Sequence, residues 1–341
     1  MGLLDNFLKR DTLEIRVAML GPRRAGKTSM LSAMFERFEN ALIAEQVSDK
    51  VWLTADSDTS KVLSDNYKEL IETIRRGGNI AGAITGDSEA HAYGFDLKKR
   101  ASDEQVQIRL RFQDYPGGWL MAGERDPDNS DYKQVVSFVR EAQVLLVAVD
   151  APYLMEDGGK WHERRNLPSL VAKTVREAWS SSDETPRTVL LVPIKCEKYD
   201  KSTGGRKELV EATRNGYSEL LSHLSNMARC AVICVPAQTT GCVEFAHFQP
   251  MSEGDEIPAP IFSMPENFED RGYNPKDCSQ ALRFSLVYAL NRYVKEGKEG
   301  LGGAIRNFFK LDRKFAEGAE ILGAGCRGTV FQKINKSVGA S

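Results

Sequence analysis

The sequence predicts a three-layer α/β fold: a mostly parallel sheet with one antiparallel edge strand, held between two layers of helices. Three observations predict it. Continuous apolar runs at 144–149, 189–194 and 231–235 read as strands buried on both faces. Segments with helical apolar spacing separate them, so these strands run parallel. Two alternating runs, one with Tyr93, Phe95 and Leu97 and one with Val106, Ile108, Leu110 and Phe112, are joined by a short polar turn. That turn is too short for a parallel crossover, so the two runs are antiparallel neighbours.

Composition narrows the class. The 341 residues suffice for a large core and one to two domains. A net charge of −2 argues against a general polyanion binder, and no nucleic-acid partner is expected. The apolar run at 144–149 is far too short to span a bilayer, so no transmembrane segment is expected. The first residues lack a secretory pattern, and Asn6 stands where myristoylation requires Ser or Thr. Six cysteines are scattered without a CxxC pair, which points to buried reduced thiols and a cytoplasmic protein.

The elements follow in order. Residues 1–12 form an N-terminal segment, in which Leu3, Leu4, Phe7 and Leu8 share a helical face. That face suits docking on the body better than a membrane or partner anchor. A main domain is expected at 13–296. Leu13, Ile15, Val17 and Met19 alternate as a strand, and Met30, Leu31, Met34 and Phe35 recur as a helix to about residue 39. Residues 40–90 exceed a minimal connection and read as an insertion. It holds a helix at 60–76, ended by Gly77-Gly78, and then a small-residue loop containing Thr85. After the antiparallel pair, 118–131 reads as a mobile segment with Trp119, Leu120 and Met121. Trp119 and Met121 suit a partner surface or tuck inward. Helices are expected at 132–141, 167–179, 209–227 and 278–294. Residues 239–275, with five prolines, read as a second insertion or flap with short strands of its own. A Gly-rich linker then leads at 297 into an amphipathic tail to 341. Ile305, Phe308, Phe309 and Phe315 stand there among basic residues, and the chain is expected to lose order from Gly323. The basic face suits weak membrane-surface contact, a partner, or packing on the same protein.

The chemistry starts between the first strand and the first helix. Gly21, Pro22, Arg23, Arg24, Ala25, Gly26, Lys27 and Thr28, followed by Ser29, read GxxxxGK and then Thr. This is a phosphate-binding loop in its required strand-to-helix setting. Its backbone N–H groups and the helix N-terminus face phosphate oxygens. Lys27 reaches the β- and γ-phosphates, and the Thr28 hydroxyl is a ligand for Mg²⁺. Asp114 ends the second alternating strand on the same rim, in Asp114-Tyr115-Pro116-Gly117-Gly118, and is placed to hold Mg²⁺ directly or through water. Gly117 can offer its backbone N–H to a γ-phosphate. The strand at 189–194 ends in Ile194-Lys195-Cys196-Glu197. Guanine-nucleotide proteins carry Asn or Thr, then Lys, any residue and Asp at such a place. The carboxylate accepts from guanine N1–H and the 2-amino group, and the Lys stem lies on the base. Lys195 matches, Glu197 is one methylene longer, and Ile194 departs. Ala237 follows the last apolar strand, where a backbone N–H commonly meets guanine O6.

Together these motifs resemble a Ras-like P-loop NTPase domain of the TRAFAC clade of GTPases. The antiparallel strand between the phosphate loop and Asp114 is that clade's hallmark. Within it the chain is most similar to the bacterial double-GTPase family, associated with signalling or conflict. The resemblance spans residue 13 to about 296. It implies GTP or GDP as ligand and Mg²⁺ as cofactor. It also puts Thr85 where such GTPases carry the switch Thr that ligates Mg²⁺. Gly118 stands where Ras-like proteins carry the Gln that orients the attacking water, so slow hydrolysis is expected. Arg23 and Arg24 replace loop glycines; they stabilise transition-state charge, meet a partner protein, or face solvent. The expectation is a GTP-binding switch that acts through partner proteins at a surface near Trp119, in bacterial signalling or defence. An ATP-using P-loop enzyme and a nucleotide-binding scaffold without significant hydrolysis are the alternatives. The oligomeric state is left open.

Overall fold

Alternation decides which way each strand faces. In β1 (Leu13–Leu20), Ile15, Val17 and Met19 enter one core, and Ala18 and Leu20 enter another on the opposite face. The computed structural model describes residues 12–22, 24–44, 51–75, 90–98, 105–250, 257–264, 272–296 and 313–334. Within these, helix α1 (Lys27–Ala44) leaves the phosphate loop directly. Strand β2 (Trp52–Ala55), helix α2 (Ser57–Arg75), β3 (His91–Lys98) and β4 (Ile108–Asp114) follow. Then come α3 (Gly117–Arg125), α4 (Ser130–Glu141), β5 (Val144–Asp150), α5 (Ala151–Met155), α6 (His162–Asn166) and α7 (Pro168–Ala178). Strand β6 (Arg187–Ile194) precedes α8 (Thr203–Gly216), α9 (Ser218–Ser225) and β7 (Cys230–Cys234). Strands β8 (Glu244–Gln249) and β9 (Ala259–Ser263) form a separate antiparallel pair. The chain closes with α10 (Gln280–Glu296), α11 (Arg313–Ala324) and β10 (Thr329–Gln332).

The main sheet runs β10-β7-β6-β5-β1-β4-β3-β2. Strands β4, β1, β5, β6 and β7 are parallel. Strand β3 is antiparallel to β4, as the short turn predicts. Strand β2 then pairs antiparallel with β3 and forms the edge, and β10 pairs antiparallel with β7 at the other edge. Residues of α1, α10 and α11 cover one face, and residues of α3, α4, α7, α8 and α9 cover the other. This is the three-layer P-loop α/β fold. Because the central strands are parallel, Leu20, Asp114, Asp150 and Ile194 all end on one rim.

Four segments differ from expectation. Residues 117–125 form helix α3 rather than a mobile loop: buried Leu120 anchors one side, while Trp119 and Met121 are half-buried against the core. The single helix expected at 209–227 is two, α8 and α9, meeting at Tyr217, which is buried in the core. Strand β2 is too short for its alternation to register in the sequence. The chain beyond Gly323 does not simply lose order, because Thr329, Val330 and Gln332 pair with β7. Helix α11 packs on α10 through Phe315, whose ring centroid lies 4.9 Å from that of Tyr293. Residues 305–312 of the amphipathic run, and the N-terminal residues 1–11, lie outside the described residues. All six cysteines are free and five are buried. Among the described residues no helix is long and apolar enough to cross a membrane.

Candidate functional site

The rim brings together side chains that are far apart in sequence. Gly26 adopts φ 102, a conformation closed to most residues, which lets the loop turn into α1. Lys27 and Thr28 then open α1, and Asp114 arrives from the end of β4. The Thr28 hydroxyl donates to Asp114 Oδ2 at 3.0 Å. Lys27 Nζ lies 3.6 Å from Asp114 Oδ1 and 3.4 Å from the Gly21 carbonyl. Both charged residues are nearly enclosed, Lys27 at 7% exposure and Asp114 at 8%. Asp114 Oδ1 is buried and accepts no hydrogen bond. Beside it Tyr115 is enclosed, and burial, together with the Asp114 charge, raises its phenol well above 10.0.

These groups fit a hard divalent cation. A hydroxyl and a carboxylate with a spare oxygen are the donors that Mg²⁺ selects, usually with water completing its shell. Thr85 and Arg23 lie outside the described residues. Arg24 is exposed and sits at φ 59, a left-handed conformation that costs a non-glycine residue energy. Gly117 is the first residue of α3, whose N-cap, Pro116, supplies no side-chain hydrogen bond. The first-turn N–H groups therefore lack a side-chain cap. Gly118 is exposed, with open space where a side chain would stand.

At the other end of the rim, Lys195 Nζ donates to Asp150 Oδ2 at 2.6 Å and to the Arg24 carbonyl at 3.0 Å. The second contact ties the β6 loop to the phosphate loop. Sequence reasoning gave Asp150 no role. Its place at the end of a buried strand was the available signal, and its 0% exposure marks it as a built partner of Lys195. Asn166 holds Asp150 in turn. It accepts from the Asp150 N–H at 2.8 Å and donates to the Asp150 carbonyl at 3.1 Å. His162 Nδ1 lies 3.0 Å from the same amide nitrogen, and burial lowers the imidazole below its ordinary value. Ile194 is fully buried and packs toward Gly26, so the departure expected at this position is filled by an apolar contact.

Two expected base contacts are engaged elsewhere. Glu197 Oε1 accepts from Thr240 N–H at 2.8 Å, the Thr240 hydroxyl at 2.9 Å and Gly241 N–H at 3.2 Å. Burial raises its carboxyl above the usual range, and those same hydrogen bonds oppose the rise. The Ala237 N–H does not stand free for guanine O6. It donates to the Pro193 carbonyl at 2.8 Å, because the chain beyond β7 keeps running beside the end of β6.

A family model described as Double-GTPase 2 matches residues 15–240, more than half of the chain. The chain belongs to this family. Family membership supports a GTP-binding GTPase, consistent with the rim carrying both the phosphate loop and Asp114. No curated protein is matched. Among solved structures, the GTPase-like domain of Ski7 from S. cerevisiae is similar in two forms. The form bound to GDP and inorganic phosphate is 10% identical with a TM-score of 0.39, covering 69% of this chain and 45% of that chain. The GTP-bound form is 12% identical with a TM-score of 0.37, covering 68% and 45%. This chain therefore spans less than half the length of those it matches.

Proposed function

We propose that this double-GTPase chain is a switch that binds GTP with Mg²⁺, hydrolyses it slowly, and signals through partner proteins in bacterial signalling or defence. One observation carries the reading: Lys27, Thr28 and Asp114 converge beside the phosphate loop, with Lys27 and Asp114 nearly enclosed. Lys27 is held there by long contacts to Asp114 and the Gly21 carbonyl, which a phosphate oxygen can replace. Thr28 and Asp114 would hold Mg²⁺. When bound, that ion offsets the negative charge of the phosphates. The Gly117 and Gly118 N–H groups, without a side-chain cap at the start of α3, would take a terminal phosphate, so loss of that phosphate would release α3. Trp119, half-buried on α3, is the residue through which a partner reads the change. No side chain at Gly118 orients water, which supports a slow rate. The six free thiols support cytoplasmic residence.

The test is binding of fluorescent GDP and GTP in Mg²⁺, followed by single-turnover hydrolysis. Saturable binding and turnover that disappear in Lys27→Ala support the reading. Turnover equal in both proteins would reject it. A second reading, acceptance of ATP, is favoured by the engagement of Glu197 and the Ala237 N–H inside the protein.

A further inference from the structure

The base end of the rim keeps a support for a base but presents no free edge-reading group among those assigned to guanine. The support is Lys195, pinned by Asp150 Oδ2 and the Arg24 carbonyl. Phe262 of β9 lies near, its ring centroid 5.8 Å from Lys195 Nζ. A lysine stem and an aromatic ring take the flat face of any purine. Telling guanine from adenine takes more: an acceptor for N1–H and the 2-amino group, and a donor for O6.

The groups assigned to that reading are tied to the fold. Glu197 is 6% exposed, and its Oε1 already accepts three hydrogen bonds from Thr240 and Gly241. Turning it toward a ligand would leave those donors unpaired in a buried place. The turn it grips is fixed from the other side as well. Asn274 N–H donates to the Thr240 carbonyl at 3.0 Å. The Asn274 carbonyl oxygen lies 1.8 Å from where a Cβ on Gly241 would stand, and Gly241 has φ 69, so the backbone of the turn packs closely against Asn274. The two N–H groups nearest the O6 role are engaged in the same way: Ala237 N–H bonds Pro193, and Gln238 N–H donates to the Lys276 carbonyl at 2.9 Å. The next carboxylate along, Asp200, is paired with Arg206 at 3.1 Å.

We propose that this chain grips purine nucleotides by their phosphates and by the face of the base, with little discrimination between guanine and adenine. Glu197 is a brace that ties the turn at 240–241 to the β6 loop, and it reads no base. The inference rests on the nucleotide site described under Proposed function and specifies its ligand class more broadly.

The test is competition against fluorescent GDP in Mg²⁺, with GDP, ADP and XDP, on the wild-type chain and on Glu197→Gln. A site that reads base edges by hydrogen bonds rejects the wrong base by about 10⁴-fold, whereas here GDP and ADP compete within about tenfold of each other. An amide at a base-reading position would lose guanine's two donors and donate to the xanthine 2-carbonyl instead, shifting preference toward XDP. Glu197→Gln is expected to weaken all three nucleotides by a common factor, leaving the XDP-to-GDP ratio as in the wild type. A GDP preference over ADP beyond about tenfold overturns the proposal, as does a gain for XDP in Glu197→Gln. Should that variant fail to fold, the wild-type GDP-to-ADP ratio decides by itself. Strong guanine preference would defeat this inference and leave the GTP switch standing. Absence of any nucleotide binding would defeat both.

Discussion

At the phosphate end of the rim Lys27 has contacts of 3.4 and 3.6 Å, and Asp114 keeps a buried oxygen without a hydrogen bond. At the base end Glu197 Oε1 has three contacts between 2.8 and 3.2 Å, all within the protein. Both ends are buried, and both carry charge. The first holds its charge in long contacts that a ligand can replace at little cost. Glu197 has Oε1 satisfied internally, so a ligand would have to break good hydrogen bonds to reach that oxygen. Burial of a charged group therefore does not by itself mark a ligand contact; what matters is how completely the fold has already satisfied it.

The largest effect is expected at the first end. Lys27→Ala should lower nucleotide affinity by about 100-fold or more, because each hydrogen bond to a charged group is worth about 1.5–3 kcal/mol. Calorimetric titration with GDP checks this, and undiminished affinity would break the contrast. At the second end the effect should appear in stability. Glu197→Ala leaves the Thr240 and Gly241 donors buried and unpaired, at a cost of about 2–4 kcal/mol. The urea midpoint measures it. Glu197→Gln, which keeps an accepting oxygen, should fall between that variant and the wild type. If Glu197→Ala kept its midpoint and lost only GDP, the two ends would be alike after all.

Much of this contrast was readable in the sequence at one end only. The phosphate loop is local: eight consecutive residues with a strand before and a helix after. Asp114 was legible because the alternation of β4 stops there. The antiparallel β3 followed from a turn too short for a crossover. The brace at Glu197 was not legible, since its partner Thr240 is 43 residues away and nothing in either segment announces the other. The same holds for Asn166, which reaches across 16 residues to fix Asp150. Strand β10 was hidden because its pairing with β7 spans about a hundred residues, and its four residues are too few to show alternation. Helix α3 was read as a loop because Gly117-Gly118 opens it, yet Leu120 buried on the core side outweighs their poor propensity.

Smaller effects sharpen the picture. Gly118→Ala meets open space within helix α3, so it should stabilise the protein by about 0.5 kcal/mol and leave GDP affinity unchanged. Thermal unfolding with and without GDP reads both. A loss of GDP affinity in that variant would mean that Gly118 itself approaches the ligand. The last effect is one of pH. Burial holds the His162 imidazole neutral below its ordinary 6.5. As pH falls through 6.5 the unfolded chain takes up a proton that the folded chain refuses. Stability present above 6.5 is therefore lost between 6.5 and the lower folded value. His162→Gln should flatten that part of the stability profile, and an unchanged slope would mean that burial does not hold this imidazole neutral.

The measurement that bears most directly on the whole account is the nucleotide carried by the freshly purified chain, released by denaturation and identified by chromatography and mass. The account predicts nucleoside di- or triphosphate in the wild-type protein, with guanine and adenine forms both present, and none in Lys27→Ala. Wild-type protein with no nucleotide that also fails to take any up in Mg²⁺, or equal nucleotide in both proteins, would contradict it.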